Sequence, residues 1–377
     1  MSHLHKVVDL TRSHGQLQRG HGLASGVFAL SLAVLCVLGV LAFHFPQYLT
    51  TPELRHAYSV DTLRRVLFWS LAVAGGISLV NILLGRSRWL AASAFALVAL
   101  AVLAGGSQVH VDPDFPDHTA YIGLDWFILD LLGSSLIFIF VEKLFALRRD
   151  QPVFRAEWQT DLAHFVVNHM VVGFVLLATN LAVHRLFGWA ARDGVQAWVA
   201  GLPFPAALFL IILVADLVQY GTHRAYHEVP LLWRLHAVHH SVKSMDWLAG
   251  SRQHFVELLI TRTLVLAPIF VLGFSQGVVD AYIIIVGFQA VFNHANVSVR
   301  LGPLRYVIVT PNFHHWHHSQ DEPAIDRNYA AHFAFIDHLF GTAVKSPDKW
   351  PRDYGVRGDY VPPSFWQQVL FPFKWKG

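Results

Sequence analysis

The chain has 377 residues, 54% of them hydrophobic and only 14% charged, against roughly 25% charged in an ordinary soluble domain. Its mean hydropathy of +0.43 argues against a soluble globular protein, and a net charge of +3 is too small for a nucleic-acid-binding surface. The single cysteine, Cys36, admits no internal disulfide, so the fold owes nothing to oxidation.

After a polar leader over 1–22, the first apolar run covers 23–43. It is too long for a cleaved signal peptide, and no small-residue cleavage site follows it. Further runs occupy 66–84, 89–105, 123–141, 163–183, 202–219, 258–274 and 278–292. A span needs about 20 mostly apolar residues, within a range of about 17–25. The pattern therefore predicts an all-α, polytopic integral membrane bundle. The last two runs are shorter and meet at Gly273, which reads as a helical hairpin able to dip into the bilayer. Residues 1–150 carry four runs without clustered ligand chemistry and read as a membrane scaffold or accessory region. The basic stretch 143–155 (KLFALRRDQPVFR) is the expected joint to the histidine-rich domain at 151–345, which a tail at 346–377 follows.

Charge sets the expected orientation. With the N-terminus inside, the inner segments hold Lys6, Arg12, Arg19, Arg86, Arg88, Lys143, Arg148, Arg149 and Arg155. The outer segments hold only Arg55, Arg64, Arg65, Arg185 and Arg192, and the loop 106–122 is acidic. Positive charge collects on the cytoplasmic side, so both termini and the histidine-rich cap are expected there.

The run at 202–219 leads directly into ADLVQYGTHRAYHE. Asp216, Tyr220, His223 and His227 then share one helical face. His236, His239 and His240 follow at spacings i, i+3 and i+4. His314, His317 and His318 repeat that pattern within TPNFHHWHHSQDE. Three of the four imidazoles in HHWHH can converge on such a face, while His315 points elsewhere. His294 closes the last apolar run. Nine imidazoles are too many for one ion and fit two ions with four or five nitrogens each. Neutral ligands need nearby carboxylates to orient the rings. Asp216, Glu228, Asp246, Glu257, Asp321 and Asp326 are the candidates. His56 and His184 read as interfacial residues, His254 as structural or supporting, and His332 and His338 as packing or surface residues.

The motifs H-x3-H (223, 227), H-x2-H-H (236, 239, 240) and H-x2-H-H (314, 317, 318) resemble the eight-histidine signature of the membrane di-iron oxygenases. The close spacing of the first two is similar to that of the fatty acid hydroxylase superfamily, also called the sterol desaturase family. FNHAN and DRNYAAHFAFIDHLFGT fit the same pattern, and the resemblance covers about 155–345. It implies metal-ligand roles for His223, His227, His236, His239, His240, His294, His314, His317 and His318. It also implies two iron ions, with zinc as a substitute in isolated protein. The implied reaction is hydroxylation or desaturation of a lipid C–H bond by O2, with electrons from a separate reductase, ferredoxin or cytochrome. Some members carry a second histidine four residues before the one matched by His294, where this chain has Ala290.

Two other classes compete on sequence alone. A heme electron carrier would place facing histidines deep in the bilayer, whereas these lie at helix ends. A metal transporter or sensor would place ionisable residues inside the runs at 23–43, 66–84 and 89–105, which have almost none. A zinc protease is excluded because no H-E-x-x-H occurs.

Overall fold

The structure, a computed structural model, describes residues 23–51, 55, 59–111, 121–344, 349–358 and 360–374. Lys6, Arg12, Arg19, His56 and residues 112–120 of the acidic loop lie outside them. Among the described residues the regular structure is helical, apart from two isolated bridges. Seven helices among the described residues are long and apolar enough to cross a membrane, as expected of a multi-pass membrane protein. The chain divides into two compact units, 1–128 and 129–377.

The first unit is built on α1 (Leu23–His44), α2 (Val60–Leu83) and α3 (Arg88–Leu103), which pack against one another. Their shared core contains Ala29, Ala33, Ala74, Ala94 and Ala101 beside Cys36, Leu67, Leu71 and Val98. Small residues let membrane helices approach closely enough for backbone-to-backbone dispersion contacts. Ser25 adds a polar contact between helices, donating to Asn81 at 3.1 Å. Helix α4 (Leu124–Leu144) begins in this unit and ends in the next.

In the second unit, α5 (Trp158–Met170) and α6 (Val172–Phe187) take up the run expected at 163–183. The run is two helices rather than one. The break at Val171 (φ −95°, ψ 1°) follows two polar residues whose side chains are tied to other segments. Asn168 donates to the Gln253 carbonyl at 3.1 Å, and a His169 ring nitrogen lies 2.7 Å from Asp130. After α7 (Asp193–Ala200) come α8 (Phe204–Glu228), α9 (Pro230–His240), α10 (Phe255–Leu272) and α11 (Gln276–His294). Helices α8, α10 and α11 pack through Ala207, Ile211, Val265, Ile269, Val278 and Tyr282. The α10–α11 hairpin turns at Gly273, whose φ of +69° favours glycine. A Cβ there would also lie 2.6 Å from Gln196 Cγ.

Helix α8 decides where the histidines stand. Its 25 residues extend about 38 Å at 1.5 Å per residue, more than the roughly 30 Å of hydrocarbon in a bilayer. The surplus is about 8 Å, and the C-terminal end of the helix carries His227 within its last five residues and His223 just before them. The C-terminus of α11 and the N-terminus of α10 lie at the same end as α9 and α12 (Pro311–His317). Two further short helices, α13 (Ala334–Phe340) and α14 (Phe365–Lys374), complete this region.

Candidate metal centre

The nine predicted imidazoles come together in two adjacent groups. His223, His227, His236, His240 and His317 form one, and His239, His294, His314 and His318 form the other. Within each group the candidate ligand atoms lie within 4.8 Å of one another. The groups adjoin: the rings of His240 and His318 stack with centroids 4.5 Å apart.

The two triplets are divided between the groups in the same way. On α9, His236 and His240 enter the five-membered group and His239 the other. In the second triplet, His314 on α12 and His318 at its C-cap enter the four-membered group and His317 the other. At about 100° per residue, i+4 lies about 40° from i, while i+3 lies about 60° to the opposite side. The i, i+4 pair therefore keeps one direction and the i+3 ring turns to a neighbouring one. The expected convergence of three imidazoles from HHWHH is thus a convergence on two centres, not one.

Hydrogen bonding fixes which nitrogen faces inward. The Nδ1 atoms of His223, His239, His294 and His317 lie 2.7, 3.0, 2.8 and 2.8 Å from the carbonyl oxygens of Tyr329, Arg252, Ala290 and Arg327. A carbonyl can only accept, so each of these Nδ1 atoms donates and the neutral ring keeps its lone pair on Nε2. Those Nε2 atoms crowd together. His236 Nε2 is 3.0 Å from that of His223 and 3.1 Å from that of His240. His240 is 3.0 Å from His317, and His314 is 3.0 Å from His294 and 3.1 Å from His318. The His227 Nε2 is buried without a hydrogen-bond partner. Converging lone pairs repel one another unless a cation lies among them, so this donor set fits metal ions. Burial acts in the same direction. It holds the His236, His240, His314, His317 and His318 imidazoles well below the usual histidine range, and His239 at about 3. They are neutral at pH 7, as ligands must be.

Two of the six candidate carboxylates reach the rings. Glu257 Oε1 lies 2.8 Å from His236 Nδ1, and Asp326 Oδ1 lies 3.2 Å from His227 Nδ1. Asp216, expected to orient a ring, instead accepts the backbone N–H groups of Ala331, His332 and Phe333 at 2.8, 3.1 and 2.6 Å. It anchors the segment after Tyr329. Asp246 pairs with Arg155, Glu228 with Arg224, and Asp321 accepts from the Arg352 backbone. His315 lies outside both groups, fully buried, with Nδ1 2.9 Å from the Tyr354 hydroxyl. His254 caps α10 by accepting from Val256 N–H. His332 pairs with Gln289, His338 packs near Tyr306, and His184 is exposed against Phe270.

Sequence reasoning missed the support beneath α9. Buried Arg252 pairs with Asp161 and, at 2.8 Å, with Glu157, while its carbonyl receives the His239 Nδ1–H. Arg155 bridges Asp161 and Asp246 at 2.6 and 2.8 Å. The concentration of charges at 155–161 and 246–257, in a chain so poor in charge, was the available signal. Tyr226 was also missed. It stacks on His236 at 5.5 Å with its hydroxyl 3.0 Å from Thr261 Oγ1.

Residues 208–342 match the fatty acid hydroxylase family. The chain is similar to ornithine lipid hydroxylase OlsE of Rhizobium tropici, with 28% identity over 67% of this chain and 77% of that protein. It is 30% identical to human alkylglycerol monooxygenase over 38% of this chain and 32% of that protein. It is 26% identical to the very-long-chain aldehyde decarbonylase GL1-1 of Oryza sativa subsp. indica, over 60% of this chain and 37% of that protein. The chain thus spans about a third of the length of the last two. No solved structure matches it significantly.

Proposed function

We propose, from the premise that residues 208–342 belong to the fatty acid hydroxylase family, that the chain is a membrane-bound di-iron oxygenase. It hydroxylates a C–H bond of a lipid, with desaturation as the other outcome open to the same hydrogen abstraction. The observation that carries this reading is the pair of buried imidazole groups with inward Nε2 atoms. His223, His227, His236, His240 and His317 would hold one ion, and His239, His294, His314 and His318 the other. Bound iron would supply the O2 activation that no side chain can perform. The balance is R–H, O2, two electrons and two protons giving R–OH and water, with the electrons coming from a separate donor protein.

The protein's own contribution is orientation and dryness. Glu257, Asp326 and the carbonyls of Tyr329, Arg252, Ala290 and Arg327 fix the ring directions. Tyr226 and Trp233 wall off the five-membered group, Trp233 lying 5.1 and 5.4 Å from the His227 and His240 rings. The four-membered group is also the one that Ala290 leaves without a further histidine, so an ion there would have four imidazole ligands and could take a small molecule as another. The names of the relatives, which span ornithine lipids and alkylglycerols, favour a polar lipid as substrate. A heme carrier finds no support, because four or five converging nitrogens leave no slot for a flat macrocycle.

Detergent-purified, iron-loaded protein should hold about two ions per chain, the occupancy this ligand set allows. With 18O2, a donor system and membrane lipids, one labelled oxygen atom should appear in a lipid product. Zero or one ion per chain overturns the di-iron assignment; an unlabelled hydroxylated lipid overturns the oxygenase, and an unlabelled alkene product marks desaturation instead. The charge bias supports a cytoplasmic position for the histidine groups and both termini, the side where soluble electron donors reside. A reporter fused after Gly377 should be active there, and activity on the other side refutes that orientation.

A further inference from the structure

Helix α14 has two unlike faces. Gln368 and Pro372 are buried, and Gln368 is tied to the region around α9. Its Nε2 donates to the Pro362 carbonyl at 2.8 Å and to Ser241 Oγ at 3.4 Å, and its Oε1 lies 2.9 Å from His164 Nε2. Ser241 directly follows His240. The opposite face bears Trp366, Leu370 and Phe373, exposed by 72, 46 and 68%. At about 100° per residue these three fall within an arc of about 60°, and Gln367 and Lys374 form the polar edge beside it.

Three large apolar side chains in one stripe would be costly to leave in water. Two observations indicate what covers them. The His254 ring touches both Phe373 (5.8 Å) and Phe255 (4.9 Å), and Phe255 is the first residue of the span α10. The stripe therefore begins where a membrane helix begins. Residues 360–377 (YVPPSFWQQVLFPFKWKG) also contain two lysines, two tryptophans and no carboxylate. That composition suits anionic headgroups and the interfacial zone.

We propose that α14 lies in the headgroup–acyl boundary of the bilayer, with Trp366, Leu370 and Phe373 in lipid and Gln367 and Lys374 toward the headgroups. Through Gln368 it fastens the end of α9, and with it His239 and His240, to the membrane surface.

The test uses the full chain with a Cys36→Ser background in mixed phosphatidylcholine–phosphatidylglycerol nanodiscs. Nitroxides are placed singly through Trp366→Cys, Leu370→Cys, Phe373→Cys and Gln367→Cys. Relaxation by O2 should exceed relaxation by a water-soluble nickel chelate at 366, 370 and 373, corresponding to a depth of about 5–10 Å, with the order reversed at 367. Equal chelate access at all four positions overturns the proposal. So does spin–spin broadening between chains, which would make the stripe a contact between copies. Should a substituted chain misfold, the unaltered protein is cross-linked in the same nanodiscs with a lipid bearing a diazirine on its upper acyl chain. Adducts on the peptide 365–374 support the seating, and adducts confined to the spans overturn it.

Discussion

The two histidine groups differ in their backing. In the five-membered group, carboxylates stand behind two rings, Glu257 behind His236 and Asp326 behind His227. In the four-membered group, the partners found behind the rings are neutral carbonyls, those of Arg252 and Ala290, and His318 Nδ1 is buried without a partner. A carboxylate behind a ring makes the ligand more basic and offsets part of the metal charge. Under the proposed assignment the two ions are therefore inequivalent. The first would have acidic side chains behind two of its five rings, and the second neutral carbonyls behind two of its four.

Acid should erase the difference altogether. The His239 pKa is depressed to about 3 by burial, and those of His314, His317 and His318 are likewise far below their ordinary value of 6.5. Because the folded values are depressed, their contribution to stability is present above the unfolded value and is lost as pH falls below it. Metal content after desalting should be flat above about pH 7 and decline below about 6 only as the fold itself loses stability, because the unfolded chain takes up protons there while the folded imidazoles stay neutral. Loss of both ions near about pH 5 from a chain that is still folded would contradict this.

Single-ligand deletions separate the groups. His236→Ala and His239→Ala should each lower turnover by at least about a hundredfold, while removing different ions. Anomalous scattering or metal-specific spectroscopy would show whether the residual ion sits in the opposite group. Smaller is Glu257→Gln, which keeps a hydrogen-bond acceptor behind His236 but replaces the carboxyl group by an amide. It should weaken the five-membered group by about 10–100-fold and leave the other unchanged. Equal weakening of both ions would remove the asymmetry. His315→Ala should be mildest for chemistry. It leaves Tyr354 without its buried partner, costing about 1–3 kcal/mol of stability, while both ions stay. A His315→Ala variant as inactive as His317→Ala would place His315 among the ligands.

Much of this arrangement was readable from residue order. Long apolar runs gave the helices, and the spacing of Asp216, Tyr220, His223 and His227 placed them on one face of α8. Eight of the nine clustered histidines stood out by their own spacing, and His294 by the family resemblance. Three things were not readable. The division of each triplet depends on four residues overshooting a full turn by about 40° while three fall about 60° short of it. The ring partners are mostly backbone carbonyls, which carry no side-chain signature. The break at Val171 depends on where Asn168 and His169 find partners, at Gln253 and Asp130, and so lies in tertiary structure. Asp216 illustrates the limit of face reasoning. It lies on the histidine face, yet it reaches the amides of 331–333 rather than an imidazole.

That anchor has a consequence for biosynthesis. Asp216 and its amide partners are separated by 115 to 117 residues. Between them the ribosome must deliver α9, the whole α10–α11 hairpin and α12. The carbonyl of Tyr329, which aims His223, comes from the same late segment. Closing so long a loop adds only modestly to its entropic cost, but nothing can close it early. Both histidine groups are therefore completed only after the hairpin has been made, because His314, His317 and His318 lie beyond it. Nascent chains arrested before residue 331 should reach the membrane and remain unable to retain two ions.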